Sequence, residues 1–545
     1  MKRQVQNMTN TKKSAAISLP VKIAVALILL FLVIFPILRM FSSMSAEDFE
    51  DVLNSPTFSQ ALLNSVLLSA IATGIVILLA YLLAYCMVRT NVLFKKIFNV
   101  ILILPMLIPS ISHGMGLIIL FGGNGVIKNL LGLENSIYGP VGIVTGSILY
   151  AFPVAYIMLS DVLKYEDLSV YEAANVLGIS RPRQFLRLTL PYLKKPLIAT
   201  IFSTFSMIVT DYGVPLMIGG KTKTISLLMY EEVIGQLDFG KGSVYGLFLL
   251  IPAIIAFISD ALNKERATTA FVHKSLQESK KTYRDAVALV VCIAVSVFAL
   301  LPILSFIILA FAKSYPRDMT FTLANVTNTF DRGGADYLIN SLVIALLTAV
   351  IGTVFSYLTA YLTARMKSSV SHLIHLLVLT FMAIPGIVLG LSYVISFSSS
   401  VIYGTLAIMV TVNLAHFISS PYLMMYNSFG KMNENLEAVG QTLGISRLRI
   451  IKDVFVPQNV GTIAEMFSYL FVNCMMTISA VSFLANINTK PISLMINQFE
   501  AQMQYECAAV VSLMILIANV LVKIIVGIVK GIFSKKTRKA EVESV

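Results

Sequence analysis

The chain has 545 residues, 57% hydrophobic and 13% charged, with 41 Lys and Arg against 28 Asp and Glu and a net charge of +13. So high an apolar share excludes an ordinary soluble domain and predicts an all-α, polytopic membrane protein. Lysine and arginine gather on the cytoplasmic ends of membrane helices, so topology accounts for the positive excess and no nucleic-acid partner is expected.

Residues 1–19 carry Lys2, Arg3, Lys12 and Lys13 ahead of an apolar run over 20–40. That run is long enough to span a bilayer, which takes about 20 residues, and it reads as a retained first span rather than a signal peptide. The loop after it holds Glu47, Asp48, Glu50 and Asp51 and no basic residue, which faces it outward. Further apolar runs lie near 61–88, 97–121, 141–163, 197–218 and 244–262. A basic linker over 263–284, with Lys264, Arg266, Lys274, Lys280 and Lys281, follows on the cytoplasmic side. Runs near 285–311, 338–364, 373–396, 405–428, 461–485 and 507–532 complete twelve spans with both termini inside. The organisation read from this is a first six-span half, 1–262, the linker 263–284, and a second six-span half, 285–545.

The halves repeat one another. Asn64-Ser65, Tyr81, Ala84-Tyr85 and Arg89 recur 276 residues later as Asn340-Ser341, Tyr357, Ala360-Tyr361 and Arg365. Ile108-Pro109 with Gly114 recurs as Ile384-Pro385 with Gly390. Beyond these the offset falls to 266, where a shorter loop in the second half removes ten residues. Each half has an even number of spans, so the repeats are parallel, related by an axis along the membrane normal.

A polar, basic segment interrupts each half. In the first, Ser169 and Glu172 have the spacing of a capping box, and Val170, Ala173, Ala174 and Leu177 form one face of a short helix. Gly178 supplies the left-handed stop, and Ser180 opens a second helical run with Arg183 and Arg187 before Pro191. The second copy has Asn435 as cap, Leu436, Val439, Gly440 and Leu443 as stripe, and Gly444 as stop. Two short helices joined at a glycine make an elbow. The stripe is too small for a helix lying on lipid, which calls for Phe, Leu or Trp, and suits close approach of another surface.

These residues resemble the E-A-A-x3-G-x9-I-x-L-P motif of permease subunits of ABC importers. The first copy matches as Glu172-Ala173-Ala174, Gly178, Leu188, Leu190 and Pro191. The second keeps Gly444, Val454, Val456 and Pro457 but reads Ala438-Val439-Gly440, with Glu437 one residue early. The resemblance implies the type I ABC importer permease fold, two ABC ATPase subunits and an extracytoplasmic substrate-binding protein. It makes each elbow a coupling helix: Glu172, Ala173, Ala174, Gly178, Arg181 and Pro191 in one, Glu437, Gly440, Gly444, Arg447 and Pro457 in the other. The segment from Asp211 to Gly220, with Thr477 to Leu484 as its counterpart, resembles double-length permeases for ferric iron, 2-aminoethylphosphonate and related small polar ligands. Asp211 and Thr477 are thereby candidates for the ligand path.

No cofactor is expected in the chain, ATP being used by the partner subunits. Gly219-Gly220-Lys221-Thr222 lacks the leading glycine of a phosphate loop, and Gly235 to Gly240-Lys241 ends on Gly242 where Ser or Thr is needed. Cys86, Cys292, Cys474 and Cys507 lie in or beside apolar runs without paired spacing, so neither a disulfide framework nor a metal site is expected. His113 and His416 are expected to hydrogen-bond a neighbouring helix, and Pro105, Pro109, Pro153, Pro385 and Pro421 to break the helical ladder. An ion-coupled secondary transporter is the alternative and needs mid-membrane carboxylates, for which Asp211 is the one fair candidate. A membrane enzyme would need a clustered catalytic constellation, which the sequence does not offer.

Overall fold

The computed structural model describes residues 19–134, 136–167, 169–263 and 282–543. The linker core at 264–281 lies outside the described residues. Among the described residues the chain is helical apart from one small hairpin, Ala312–Ser314 paired antiparallel with Asp318–Phe321.

Seven described helices are long and apolar enough to cross a membrane, or nine if each of two bent pairs is one span. The apolar runs are helical over most of their length, yet several are irregular, and the run near 461–485 leaves the helix after Met476. Leu190–Val209 carries Lys194 and Lys195 near its start, Phe239–Asn263 has Pro252 inside it, and Val460–Met476 is short. The pair Ser369–Phe381 and Gly386–Phe397 bends by 106°, and Leu406–Phe417 with Ser419–Gly430 by 50°. Pro385 sits at the first bend and Pro421 just after the second, where each withholds an amide from the preceding turn.

Side chains satisfy carbonyls that such prolines strand. Pro109 cannot donate to the carbonyl of Pro105, and His113 Nε2 lies 3.1 Å from that oxygen, which can only accept. Pro36 strands the carbonyl of Leu32 inside a π turn over Leu30–Ile34, and the buried Tyr393 hydroxyl donates to it at 2.7 Å. Where no water reaches, such donors are what make a broken helix tolerable.

The chain packs as two compact units that cut across its two sequence halves. One unit comprises Met44–Gly333 and Met495–Met514. Its centre is Pro56–Arg89 lying along Pro140–Lys164 around Leu83, Phe152, Tyr156 and Leu159. The opening helix of the second half, Thr282–Ala310, belongs here, with Cys292 Sγ 3.8 Å from Met87 Sδ. The other unit comprises Met1–Ser43, Gly334–Leu494 and Ile515–Val545. In it Ala335–Ala364 packs on Ser419–Gly430 and Val460–Met476. The first described helix, Leu19–Ser42, belongs here, packing Phe31 edge-on and Phe35 tilted against Phe397 and donating from Lys22 to the carbonyl of Met366 and the hydroxyl of Ser368. Residues 1–262 and 285–545 are thus units of repetition, while the units of packing exchange their first spans.

The repeated glycines are close-approach positions. A Cβ on Gly114 would lie 2.7 Å from Met217 Cβ, and one on Gly390 would lie 2.7 Å from the carbonyl oxygen of Ala480. In both units the helix after the proline break packs on the part of the fifth span beyond its break. Gly116 does the same for the exchanged helix, its Cβ position being 2.6 Å from Pro302 Cβ. Gly116→Val is therefore expected to cost about 1–3 kcal/mol, the usual range for overpacking, and to lower the thermal midpoint in detergent. Gly74→Ala, with nothing within 4 Å, is the control. Equal midpoints for Gly116→Val and wild type would contradict the packing of Thr282–Ala310 at this place.

Candidate functional site: paired elbows

Both elbows form, and their geometry follows from the glycines. Ser169–Val176 and Arg181–Gln184 meet at Gly178, whose φ is +69°, and Leu436–Thr442 and Arg447–Ile450 meet at Gly444, whose φ is +74°. The Ile179 amide reaches back to the Ala174 carbonyl at 3.0 Å, and that of Ile445 to Gly440 at 2.8 Å, closing the helix ends as the left-handed residue requires.

The elbow starts are tied to the loop before them. In the first helix, Ser169–Val176, the Ser169 amide donates to Asp167 Oδ1 at 2.9 Å. In the second copy Asn435 is the N-cap residue but its side chain makes no capping bond; its amide donates to Asn433 Oδ1 at 2.9 Å. Asp167 and Asn433 are equivalent positions of the repeat.

Where the second copy departs from Glu-Ala-Ala, Gly440 packs against the tip of Ile450 inside the elbow. In the first, Ala174 and Gln184 are both buried, and Gln184 Nε2 donates to Ile179 O at 2.7 Å and Asn175 Oδ1 at 2.8 Å. In the second, Ile450 fills the place of Gln184, and any Cβ on Gly440 would collide with its Cδ1. Alanine with glutamine in one copy and glycine with isoleucine in the other fill the same space.

Of the expected stripes only Ala174 and Gly440 are buried; Val170, Ala173, Leu177, Val439 and Leu443 are exposed. Leu177 and Leu443 are 75% and 70% exposed, and Val176 and Leu448 reach 88% and 79%. Glu172 and Arg181 are also exposed. Glu437 turns the other way, toward Arg365, and Arg447 Nη1 lies 3.8 Å from Met366 Sδ. Each second elbow helix then runs into a π turn, Phe185–Thr189 or Ile451–Phe455, just before the exposed Pro191 or Pro457. Those π turns coincide in the repeat and were not foreseen; prolines at matching positions were their signal.

Asp211 and Thr477 also occupy equivalent places, each where a helix of the fifth span ends. Leu190–Val209 stops, and the chain restarts as Gly213–Ile218 with the Val214 amide donating to Asp211 Oδ2 at 3.0 Å. Val460–Met476 ends at Thr477 in extended backbone. The carbonyls of Asp211 and Thr477 each accept from a fully buried serine, Ser226 and Ser493, at 2.8 Å. The repeated Asn-Ser pairs hold the same loops: Ser65 Oγ accepts the Ile225 amide at 2.8 Å and Ser341 Oγ that of Ile492 at 2.7 Å. Asn64 and Asn340 donate to the carbonyls of Lys223 and Asn488. Gly219 to Thr222 form a turn within this loop, and the strand that a phosphate loop needs is absent among the described residues.

The sequence matches the family model described as binding-protein-dependent transport system inner membrane component, over residues 76–268 and again over 352–539. Each match contains one elbow. A ferric transport system permease protein of Actinobacillus pleuropneumoniae is 24% identical over 86% of this chain and 72% of its own length. A putative ferric transport system permease protein of Haemophilus influenzae is also 24% identical, over 86% of this chain and 78% of its own. A probable sulfate transport system permease protein of Prototheca wickerhamii is 29% identical over 28% of this chain and 62% of its own.

Proposed function

Because the chain belongs to the family of binding-protein-dependent transport system inner membrane components, we propose that it is the fused transmembrane subunit of an ATP-driven importer, with one ABC ATPase subunit docked on each elbow. The observation that carries this is the pair of glycine-turned elbows, one in each family match, each exposing a group of apolar side chains on a polar loop: Val176, Leu177 and Leu186 in one, Val439, Leu443 and Leu448 in the other. Such knobs suit a groove on another protein; left in water they are a liability.

In this reading Glu172, Ala173, Arg181 and Pro191 of the first elbow, with Arg447 and Pro457 of the second, form or flank the docking surface. Gly178 and Gly444 set its angle, and Ala174 and Gly440 its thickness. Closure of the ATPase pair draws the elbows together and switches the path from inward-open to outward-open. An extracytoplasmic binding protein delivers a small polar ligand. Ferric iron is the ligand we favour, because the relatives covering most of the chain are ferric permeases by name.

The test is reconstitution of the chain with its ATPases and binding protein in proteoliposomes. ATP-dependent uptake of the loaded ligand is expected, together with ATPase activity stimulated by the loaded binding protein. Uptake driven by an ion gradient without ATP would favour a secondary transporter instead.

In this reading the positive-inside bias of the sequence puts both elbows and both termini in the cytoplasm. The four native cysteines are buried and give a low background, so single cysteines report the orientation. Val176→Cys, at a position 88% exposed, should be labelled by an impermeant maleimide only from the cytoplasmic face; Val401→Cys, at 97%, only from outside. The opposite pattern would invert the topology.

A further inference from the structure

Arg89 and Arg365, at the ends of Pro56–Arg89 and Ala335–Ala364, recur in the two halves and have no part in the docking surface. Arg89 forms an ion pair with Glu166, both side chains about 95% buried at 6% and 5% exposure. The Tyr171 hydroxyl also donates to Glu166 and lies 2.7 Å from Thr189 Oγ1, and the guanidinium stands 4.8 Å over the Tyr171 ring. Burial, reinforced by the Glu166 carboxylate, pushes the Tyr171 hydroxyl up to about 12, so it remains a donor. Thus one arginine gathers the segment before the first elbow, the elbow's first helix and its π turn.

Arg365 does the same in the second half with other groups. Its Nε and Nη2 donate to the two oxygens of Glu437 at 2.8 and 2.5 Å, and its nitrogens also reach the carbonyls of Met432 and Asn433. Its guanidinium stands 5.3 Å over the ring of Phe455, which occupies the π-turn place of Thr189. Glu437 stands at the repeat position of Tyr171, and Met432 at that of Glu166. The arginine is kept while its carboxylate has moved five residues along the loop.

We propose that Arg89 and Arg365 are positioning residues that clamp each coupling elbow to the second span of its half, with a carboxylate supplied by Glu166 in one half and by Glu437 in the other. This rests on the reading of the elbows as ATPase docks. A bidentate or buried guanidinium pair has one geometry, whereas backbone hydrogen bonds within the loop leave the elbow free to swing as a body. The clamp makes movement of the elbow a movement of the span.

The test moves the carboxylate of the first half to where the second half keeps it. In the complex with its ATPases and loaded binding protein, Glu166→Gln should leave basal ATPase unchanged and reduce ligand-stimulated ATPase roughly tenfold, within the range of ordinary site-to-site coupling. Glu166→Gln combined with Tyr171→Glu should restore most of the stimulation, because the new carboxylate falls under the Arg89 guanidinium. A structural prop alone predicts no such rescue. Unchanged stimulation in Glu166→Gln, or a loss that the double variant does not repair, would overturn the clamp. If Glu166→Gln fails to assemble, the double variant decides: recovered assembly and stimulation support the clamp, and continued failure overturns it. A wild-type complex without ligand-stimulated ATPase would overturn the docking reading and the clamp together; stimulation in wild type with unaffected variants overturns the clamp alone.

Discussion

Gly178→Val and Gly444→Val should each insert normally and lose ligand-stimulated ATPase and uptake, by tenfold or more on the scale of coupling energies. The φ values of +69° and +74° lie in the left-handed region, which costs an L-residue about 1–2 kcal/mol, and a β-branched one more because its χ1 is restricted. Nothing lies within 4 Å of the Cβ position at either glycine, so the penalty is one of backbone angle and not of space. The elbow relieves it by opening at the turn, which breaks the Ile179 to Ala174 and Ile445 to Gly440 bonds and swings the exposed leucines away from their partner. Asparagine tolerates the left-handed conformation, so Gly178→Asn should keep most of the stimulation that valine removes. Valine variants stimulated like wild type would mean that the elbow angle does not govern coupling.

The elbows were legible in the sequence because their causes are local. A glycine that must take positive φ, a proline that ends a helix and an apolar spacing of three and four are written in consecutive residues, and duplication wrote them twice. Features made by residues distant in the chain were not legible. Nothing near Glu437 announces Arg365, 72 residues away, and the glutamate instead looked like a displaced partner of Glu172. Likewise the sequence at Gly440 reads as a lost alanine, whereas the folded elbow packs Ile450 against that position. The exchange of the first spans depends on contacts such as Tyr393 with Leu32 and Pro302 with Gly116, to which periodicity is blind. At both elbow starts a side chain two residues earlier also takes part: Asp167 accepts the Ser169 amide and Asn433 the Asn435 amide. The repeat held the one signal that was available for the rest, since Asn64-Ser65 and Arg89 recur at fixed offset and each proves to bind a partner at matched places.

Replacing Asp211 should separate hydrogen bonding from charge at the point where the fifth span of the first half breaks. The carboxylate accepts the Val214 amide at 3.0 Å and also faces the Ser110 hydroxyl and the Gly213 amide. It thus caps the restarted helix. Asp211→Ala leaves those donors without their acceptor, at a cost of about 1–3 kcal/mol for each buried group left unsatisfied, and should abolish uptake through loss of the loop that Ser65 and Ser226 hold. Asp211→Asn keeps an acceptor oxygen and removes the charge, so uptake near the wild-type level is expected from it. The equivalent Thr477 favours this outcome: the second half builds the same junction, with the same serine bond to the backbone carbonyl, around a side chain that carries no charge. A collapse of uptake in Asp211→Asn, with the complex still assembled, would instead assign the charge to the path of a cationic or zwitterionic ligand. A cationic cargo would make that second outcome chemically intelligible, and measuring uptake of a neutral-complexed and a cationic form by the same variant would show which species meets the carboxylate.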